Sequence, residues 1–423
     1  MKTKVYIVLA ILSVIGLNGI AQGLENKFGL GINGPTSFTN RIQCEASRNL
    51  NYRGEEIFHS TYYPSTSINS YEMLPQPVIN NLTHNDDITE EQVGLIFNRT
   101  KEFPENTQLS FAFISNGRVN FYGIKRQNNA LINIENHSSV FEIGSITKIF
   151  TATLLANYVN DGILDPEDHI NNYLPFKLHD DIQISFKELA NHTSGLPGIP
   201  SNMFLSAIFK SGNPYKACSE DKLVQYMSEK VKLNRRTGKN FIYSNLGAGL
   251  LGYTLSNIEN KSYQDLLIEK IFSKYGMTNS STIRMELESK LIGGLNKKGS
   301  KASNWDFASL ESAGAILSTT EDLSKFAVAQ FDELNRELAL TRDKTFTIDS
   351  NRAIGLGWFI SKTESGINLL RHEGATGGYT SSIITDTKNK RGIVILSNVS
   401  GFNKKMGNIE TLCFELMITL GKE

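Results

Sequence analysis

Apolar positions repeat with a readable period in two places, at the two ends of a long C-terminal stretch. Thr89 and Gln92 stand as a capping box ahead of Val93, Leu95, Ile96 and Phe97, which predicts a helix start. The segment LSFAFISNGRVNFYGI then holds two strand-like runs joined by Asn116 and Gly117, the turn pair most typical of a tight hairpin. Near the other end, runs 366 to 372, 378 to 385 and 392 to 397 read as strands, with the polar turn DTKNKRG between the last two. Met406, Ile409, Leu412, Cys413, Leu416, Met417 and Leu420 follow at three- and four-residue steps, one face of a closing helix. From roughly 145 to 340 the pattern is mostly helix and loop. The expected fold is therefore α/β of the α+β type: an antiparallel sheet formed from both chain ends, with a helical region inserted.

Upstream of this stretch the pattern changes twice. Lys2 and Lys4 precede an apolar run from Val5 to Leu17, with small residues Gly19 and Ala21 after it, which predicts a secretory signal peptide over residues 1–21. That run falls short of the roughly 20 apolar residues a membrane span needs, so no stable membrane insertion is expected after cleavage. Residues 22–86 are rich in Asn, Ser, Tyr and Thr and show no sustained period. They are expected to be an N-terminal extension ahead of one domain over 87–423.

Charge narrows the partners. Lys plus Arg and Asp plus Glu both number 43, so nothing electrostatic points to nucleic acid or an anionic membrane. The expected localisation is periplasmic or secreted. In that compartment the three cysteines, Cys44, Cys218 and Cys413, allow at most one intrachain disulfide, and buried thiols are the simpler reading. The seven histidines show no HExxH or paired metal-ligand spacing, so no metal and no cofactor is expected.

In FEIGSITKIFTATLLANYVNDG, Ser145 stands just before a helical pattern through Ile149, Phe150, Leu154, Leu155 and Tyr158. Lys148 falls one turn on, on the same face, within reach of the serine hydroxyl. A helix N-terminus favours negative charge on that oxygen, and a lysine acting as base must be buried or placed beside a cation. The spacing by itself is weak, because Ser219 and Lys222 share it; there Glu220 and Asp221 mark an ordinary helix N-cap. Downstream stand Tyr243-Ser244-Asn245 and His372-Glu373-Gly374. Read singly, Tyr243 is a half-buried aromatic, Asn245 a turn residue and His372 a satisfied strand residue.

Taken in order, Ser-x-x-Lys, Tyr-x-Asn and a basic residue-x-Gly on a strand resemble class C β-lactamases and the related D-alanyl-D-alanine carboxypeptidases. LANHTSGLPGIP, SAGAILSTTEDLSKF, GLGWFI and GIVILSN also look like that family, and the likeness runs over roughly residues 89 to 420. It implies that Ser145 is acylated, that Lys148 and Tyr243 share the proton handling, and that Asn245 holds the amide of the acyl group. It further implies that His372 and Gly374 line the substrate strand and that the N–H groups of Ser145 and Ala375 receive the oxyanion. The implied substrate is a small molecule or peptide, with cell-wall peptide among the candidates: a D-amino-acid peptide or a β-lactam. A carboxyl esterase with the same nucleophile and a non-catalytic penicillin-binding sensor are the rival readings. His192, in NHTSG, is expected to shape a turn. One departure bears on substrate: His-Glu-Gly stands where the strongest β-lactamases have Lys-Thr-Gly. An imidazole with an ordinary value near 6.5 would lose its charge across the neutral range, so turnover of a carboxylate substrate is expected to fall between about pH 6 and 8.

Overall fold

A computed structural model describes residues 76–203 and 213–420. The expected signal peptide at 1–21, most of the 22–86 extension and Cys44 lie outside the described residues.

Twelve strands are described: β1 Ile79–Asn81, β2 Gln108–Ser115, β3 Arg118–Gln127, β4 Ala130–Asn133, β5 Val140–Glu142, β6 Leu317–Thr319, β7 Phe346–Thr347, β8 Arg352–Ile354, β9 Phe359–Lys362, β10 Asn368–Ala375, β11 Thr380–Asp386 and β12 Arg391–Ser397. Ten of them form one sheet in the order β1-β4-β3-β2-β12-β11-β10-β9-β8-β7, and β5 pairs with β6 in a second, small sheet. The two chain ends meet at β2 and β12, where Arg391 lies opposite Ser115 and Ser397 opposite Leu109. Every pairing is antiparallel except β1 with β4, which is parallel. Strand β1 thus adds to the sheet from ahead of residue 87, in a stretch whose sequence carries no strand period.

Local chemistry explains the edges of these elements. Asn116 and Gly117 both take positive φ, 50° and 79°, as a two-residue turn matching the strand twist requires. Helix α1, Glu90–Thr100, starts with the full capping box: the Gln92 N–H donates to the Thr89 hydroxyl, and the Thr89 N–H donates to Gln92 Oε1 at 2.9 Å.

Both faces of the sheet are covered, which is why β2, β11 and β12 are buried along nearly their whole length. On one face α1 and the closing helix, Gly407–Thr419, pack together and onto the sheet through Val93, Ile96, Ile409, Leu412 and Leu416. On the other lies the helical insertion. Its central helix α2, Thr147–Asn160, is buried nearly all round, as a helix apolar on every side must be. Helix α3, Glu220–Glu229, lies further out; α4, Asn245–Glu259, packs against the turn at 308–313. A Cβ at Gly249 or Gly252 would overlap Leu310 or Ser312, so these glycines serve close packing. Helix α5, Thr320–Ala329, rests on β2 and β12, and the Thr320 hydroxyl donates to Ser110 Oγ at 2.7 Å. The closing helix is α6. Cys218 and Cys413 are buried free thiols.

Candidate active site

The end of β5 delivers the chain to the N-terminus of α2 through Ile143 and Gly144. Gly144 has φ +53°, and a Cβ there would sit 2.8 Å from the Ala375 nitrogen, so only glycine lets this turn meet strand β10. Ser145 follows in a single 3₁₀ turn, Gly144–Ile146, that runs into α2. Lys148 projects back along the same face. Its Nζ lies 2.9 Å from Ser145 Oγ and donates to the Ala313 carbonyl at 2.7 Å. Among the described residues no carboxylate is paired with it, and burial lowers its pKa well below the ordinary 10.5. A neutral amine keeps one lone pair. With a hydrogen given to Ala313, that lone pair is free to take the Ser145 proton.

Tyr243 completes a triangle with these two. Its hydroxyl hydrogen-bonds Ser145, its ring centroid is 4.9 Å from Lys148 Nζ, and burial raises its pKa above the usual phenol value. The phenol is therefore protonated at neutral pH and suited to give a proton rather than to start as the base. His192 stands behind it, ring centroids 4.4 Å apart, with φ +60° and its Nδ1 accepting the Ser244 N–H at 3.3 Å. The expected turn-shaping residue thus also backs Tyr243. Asn245 opens α4 just inside the Ser244 N-cap, where its Nδ2 donates to the Tyr215 hydroxyl at 2.8 Å.

Strand β10 forms the facing wall. Its pairing with β9 stops at Arg371 opposite Phe359, whereas its pairing with β11 runs on to Ala375 opposite Thr380. The Thr376 N–H bonds the Tyr379 carbonyl. Antiparallel alternation then assigns Gly374 and His372 to bonding pairs with β11 and directs the backbone groups of Glu373 and Ala375 toward the edge that β9 has left. Gly374 is required here, since a Cβ would overlap the Ile143 carbonyl. Ser381 Oγ donates to that same carbonyl at 2.8 Å, tying the nucleophile's turn to the wall.

His372 is 1% exposed. Its Nδ1 lies 2.8 Å from the Glu373 carbonyl, which can only accept, so Nδ1 carries the hydrogen. Burial, with Lys148 and Arg371 adding to it, lowers its pKa to about 3. This corrects the expectation of a titration between pH 6 and 8: His372 is a neutral imidazole throughout that range, with no charge to offer a carboxylate.

The nucleophile, Tyr243, Asn245, His372, Gly374 and Ala375 line one cavity of about 310 Å³. All the site residues drawn from the motifs therefore converge, with Lys148 just behind Ser145. The motifs do not reach the rest of the lining: Trp305, Phe307 and Phe359 make it aromatic, and Glu373, Met406 and Glu410 close one end. The aromatics carry no local signal that separates them from core. Met406 falls on the apolar stripe of α6, yet it sits at the cap and faces the cleft rather than the core. The other Ser-x-x-Lys pair does not join the site. Ser219 is the N-cap of α3, without a side-chain cap bond, and Lys222 donates to the Ala217 carbonyl at 2.9 Å.

Among the described residues no helix is long and apolar enough to cross a membrane. Comparison with known proteins agrees with this architecture. Protein flp of Staphylococcus aureus is 26% identical over 274 residues, covering 62% of this chain and 53% of that protein. The chain thus spans about half the length of this curated relative. Among solved structures, the octameric penicillin-binding protein homologue from Pyrococcus abyssi has a TM-score of 0.66 at 22% identity, covering 79% of this chain and 77% of the other. The beta-lactamase/D-alanine carboxypeptidase from Yersinia pestis has a TM-score of 0.64 at 22% identity, covering 78% and 96%. The beta-lactamase family model matches residues 105–413, from ahead of β2 into the last helix and across every wall of the cleft; the chain belongs to the beta-lactamase family, whose fold carries serine hydrolase activity.

Proposed function

We propose that this protein is an exported serine hydrolase that forms an acyl-enzyme at Ser145, with a D-amino-acid peptide, a β-lactam or a related amide or ester as substrate. Residues 1–21 are its secretory signal, 22–86 an extension and 87–423 the hydrolase domain. One observation carries the reading: Lys148, buried and without a carboxylate partner among the described residues, sits 2.9 Å from Ser145 Oγ.

In the proposed reaction Ser145 Oγ attacks the substrate carbonyl carbon as its proton passes to neutral Lys148. The oxyanion rests on the N–H groups of Ser145 and Ala375, the kind of preorganised donor pair whose loss of one member costs about 3 kcal/mol in well-studied cases. The scissile bond then breaks. The leaving nitrogen or oxygen takes the Tyr243 proton, and the Lys148 ammonium replaces it. Water attacks the acyl-enzyme by the reverse relay, releasing the acid and restoring Ser145. Asn245 and the open edge of β10 hold the acyl portion.

The test is intact-mass and peptide mapping after treatment with a fluorophosphonate probe. The expected adduct is on Ser145, lost in Ser145→Ala and retained in Ser219→Ala. An adduct that persists in folded Ser145→Ala overturns the assignment. The esterase reading has its own support, since neutral His372 and the carboxylate of Glu373 supply no cation for a substrate carboxylate.

A further inference from the structure

The end of the cleft formed by β10 and the start of α6 carries two acids, Glu373 and Glu410. His372 lines the cavity with its Nδ1–H committed to the Glu373 carbonyl. Its Nε2 is therefore a lone-pair acceptor, buried and without a hydrogen-bond partner among the described residues. The carboxylates of Glu373 and Glu410 line the same cavity.

Among the described residues one cation, Arg371, is paired with both acids. The Arg371 guanidinium donates to Glu373 and, at 3.1 Å, to Glu410, and its Nε–H goes to Ser361 Oγ at 2.8 Å. Its planar group also lies 5.5 Å from the Phe359 ring centroid and 5.6 Å from that of Phe414. Arg371 is thus held by Ser361, Glu373 and Glu410, and one cation is shared between two acids. A substrate carboxylate placed beside Glu373 and Glu410 meets two acids that share one cation. A group carrying several N–H bonds and a positive charge meets partners on each side.

We propose that this cleft selects substrates bearing a protonated amine, with Glu373 as the specificity-determining residue and Glu410 flanking it. The inference rests on the hydrolase reading for turnover, though not for binding. The charge balance supports it independently. Burial lifts the Glu373 carboxyl above the usual carboxylate range, Arg371 opposes that, and Glu410 adds to it. A substrate ammonium supplies the missing counter-charge.

The experiment uses three size-matched chromogenic esters that differ only in one terminal group, ammonium, methyl or carboxylate, and a matched pair of amide ligands, ammonium and carboxylate. Charge-assisted hydrogen bonds of this kind make about a tenfold or larger difference in the ratio of kcat/KM for ammonium over methyl, with carboxylate lowest. Glu373→Gln is expected to bring the ammonium-to-methyl ratio close to one, and Glu410→Gln to lower it by a smaller factor. Calorimetry on Ser145→Ala with the two amides reads the same preference without turnover, with the ammonium ligand bound about tenfold more tightly. If no ester is hydrolysed yet the ammonium amide binds preferentially, the hydrolase reading fails and the selectivity stands. Equal binding of the two amides overturns the selectivity, as does a carboxylate preference in either assay or an unchanged ratio in Glu373→Gln. Should Glu373→Gln not fold, the wild-type ester ratio and the Ser145→Ala calorimetry decide.

Discussion

Two places in this molecule carry the same four-residue spacing of serine and lysine, and they are physically opposite. At Ser145 and Lys148 the spacing begins a helix buried on nearly every side, and the amine has no carboxylate partner among the described residues. At Ser219 and Lys222 it begins an outer helix whose first turn holds Glu220 and Asp221, and Lys222 reaches back to a backbone carbonyl near the surface. The spacing sets which atoms can meet; desolvation sets whether the amine is a base. A lysine left in water is protonated at neutral pH and has no lone pair to offer.

The largest effects should separate these pairs most clearly. Lys148→Ala is expected to slow acylation on the order of 100- to 10,000-fold in stopped-flow assays, while Lys222→Ala leaves it within about twofold. Comparable losses at both sites would erase the distinction. Tyr243→Phe should cost a similar factor to Lys148→Ala, and the double variant should be little worse than the poorer single one, because the two act as one relay. Additive losses would mean independent roles.

A pH profile sharpens the contrast further. Since burial lowers the Lys148 pKa, its base form persists far below 10.5. The kcat/KM for a neutral ester should rise with pH and level off well below pH 10.5; a rise continuing toward pH 10 would show an ordinary lysine. Over the same range the ratio of carboxylate to neutral substrate should be flat, because His372 titrates only near pH 3.

The smallest effect is on stability. A lysine with a lowered pKa in the folded state binds its proton more tightly when unfolded, so its contribution rises with pH between the lowered value and 10.5 and falls as pH drops through that window. Lys148→Met should remove this dependence and raise stability at neutral pH by about 1 kcal/mol, as relief of a functional site commonly does.

What could be read in advance follows from the range of the forces involved. The hairpin at Asn116-Gly117, the capping box at Thr89 and the stripe of α6 are local, and each appears where its residues predict it. The motifs placed Ser145, Tyr243, Asn245 and His372 around one cavity because their order along the chain carried the likeness. Strand β1 has no such signal: it is short, exposed along its length, and held by pairing with β4. Trp305, Phe307 and Phe359 look like any core aromatics, since only tertiary packing decides that they border a cleft. The neutrality of His372 was likewise out of reach, because it depends on burial and on Lys148, which is remote in sequence.

The junction of β2 and β12 also constrains how the molecule comes into being. Residues near 110 can find their partners only when those near 395 have been synthesised, and the Ala375 wall reaches Ser145 by the same late closure. Contacts of such sequence separation make for slow folding, and until they form, the buried edge of β2 is an open template for another chain. If the chain is exported as proposed, crossing as an unfolded thread postpones that hazard to the far side. There the N-terminal hairpin must wait for the last strand, and no partial chain holds a working cleft.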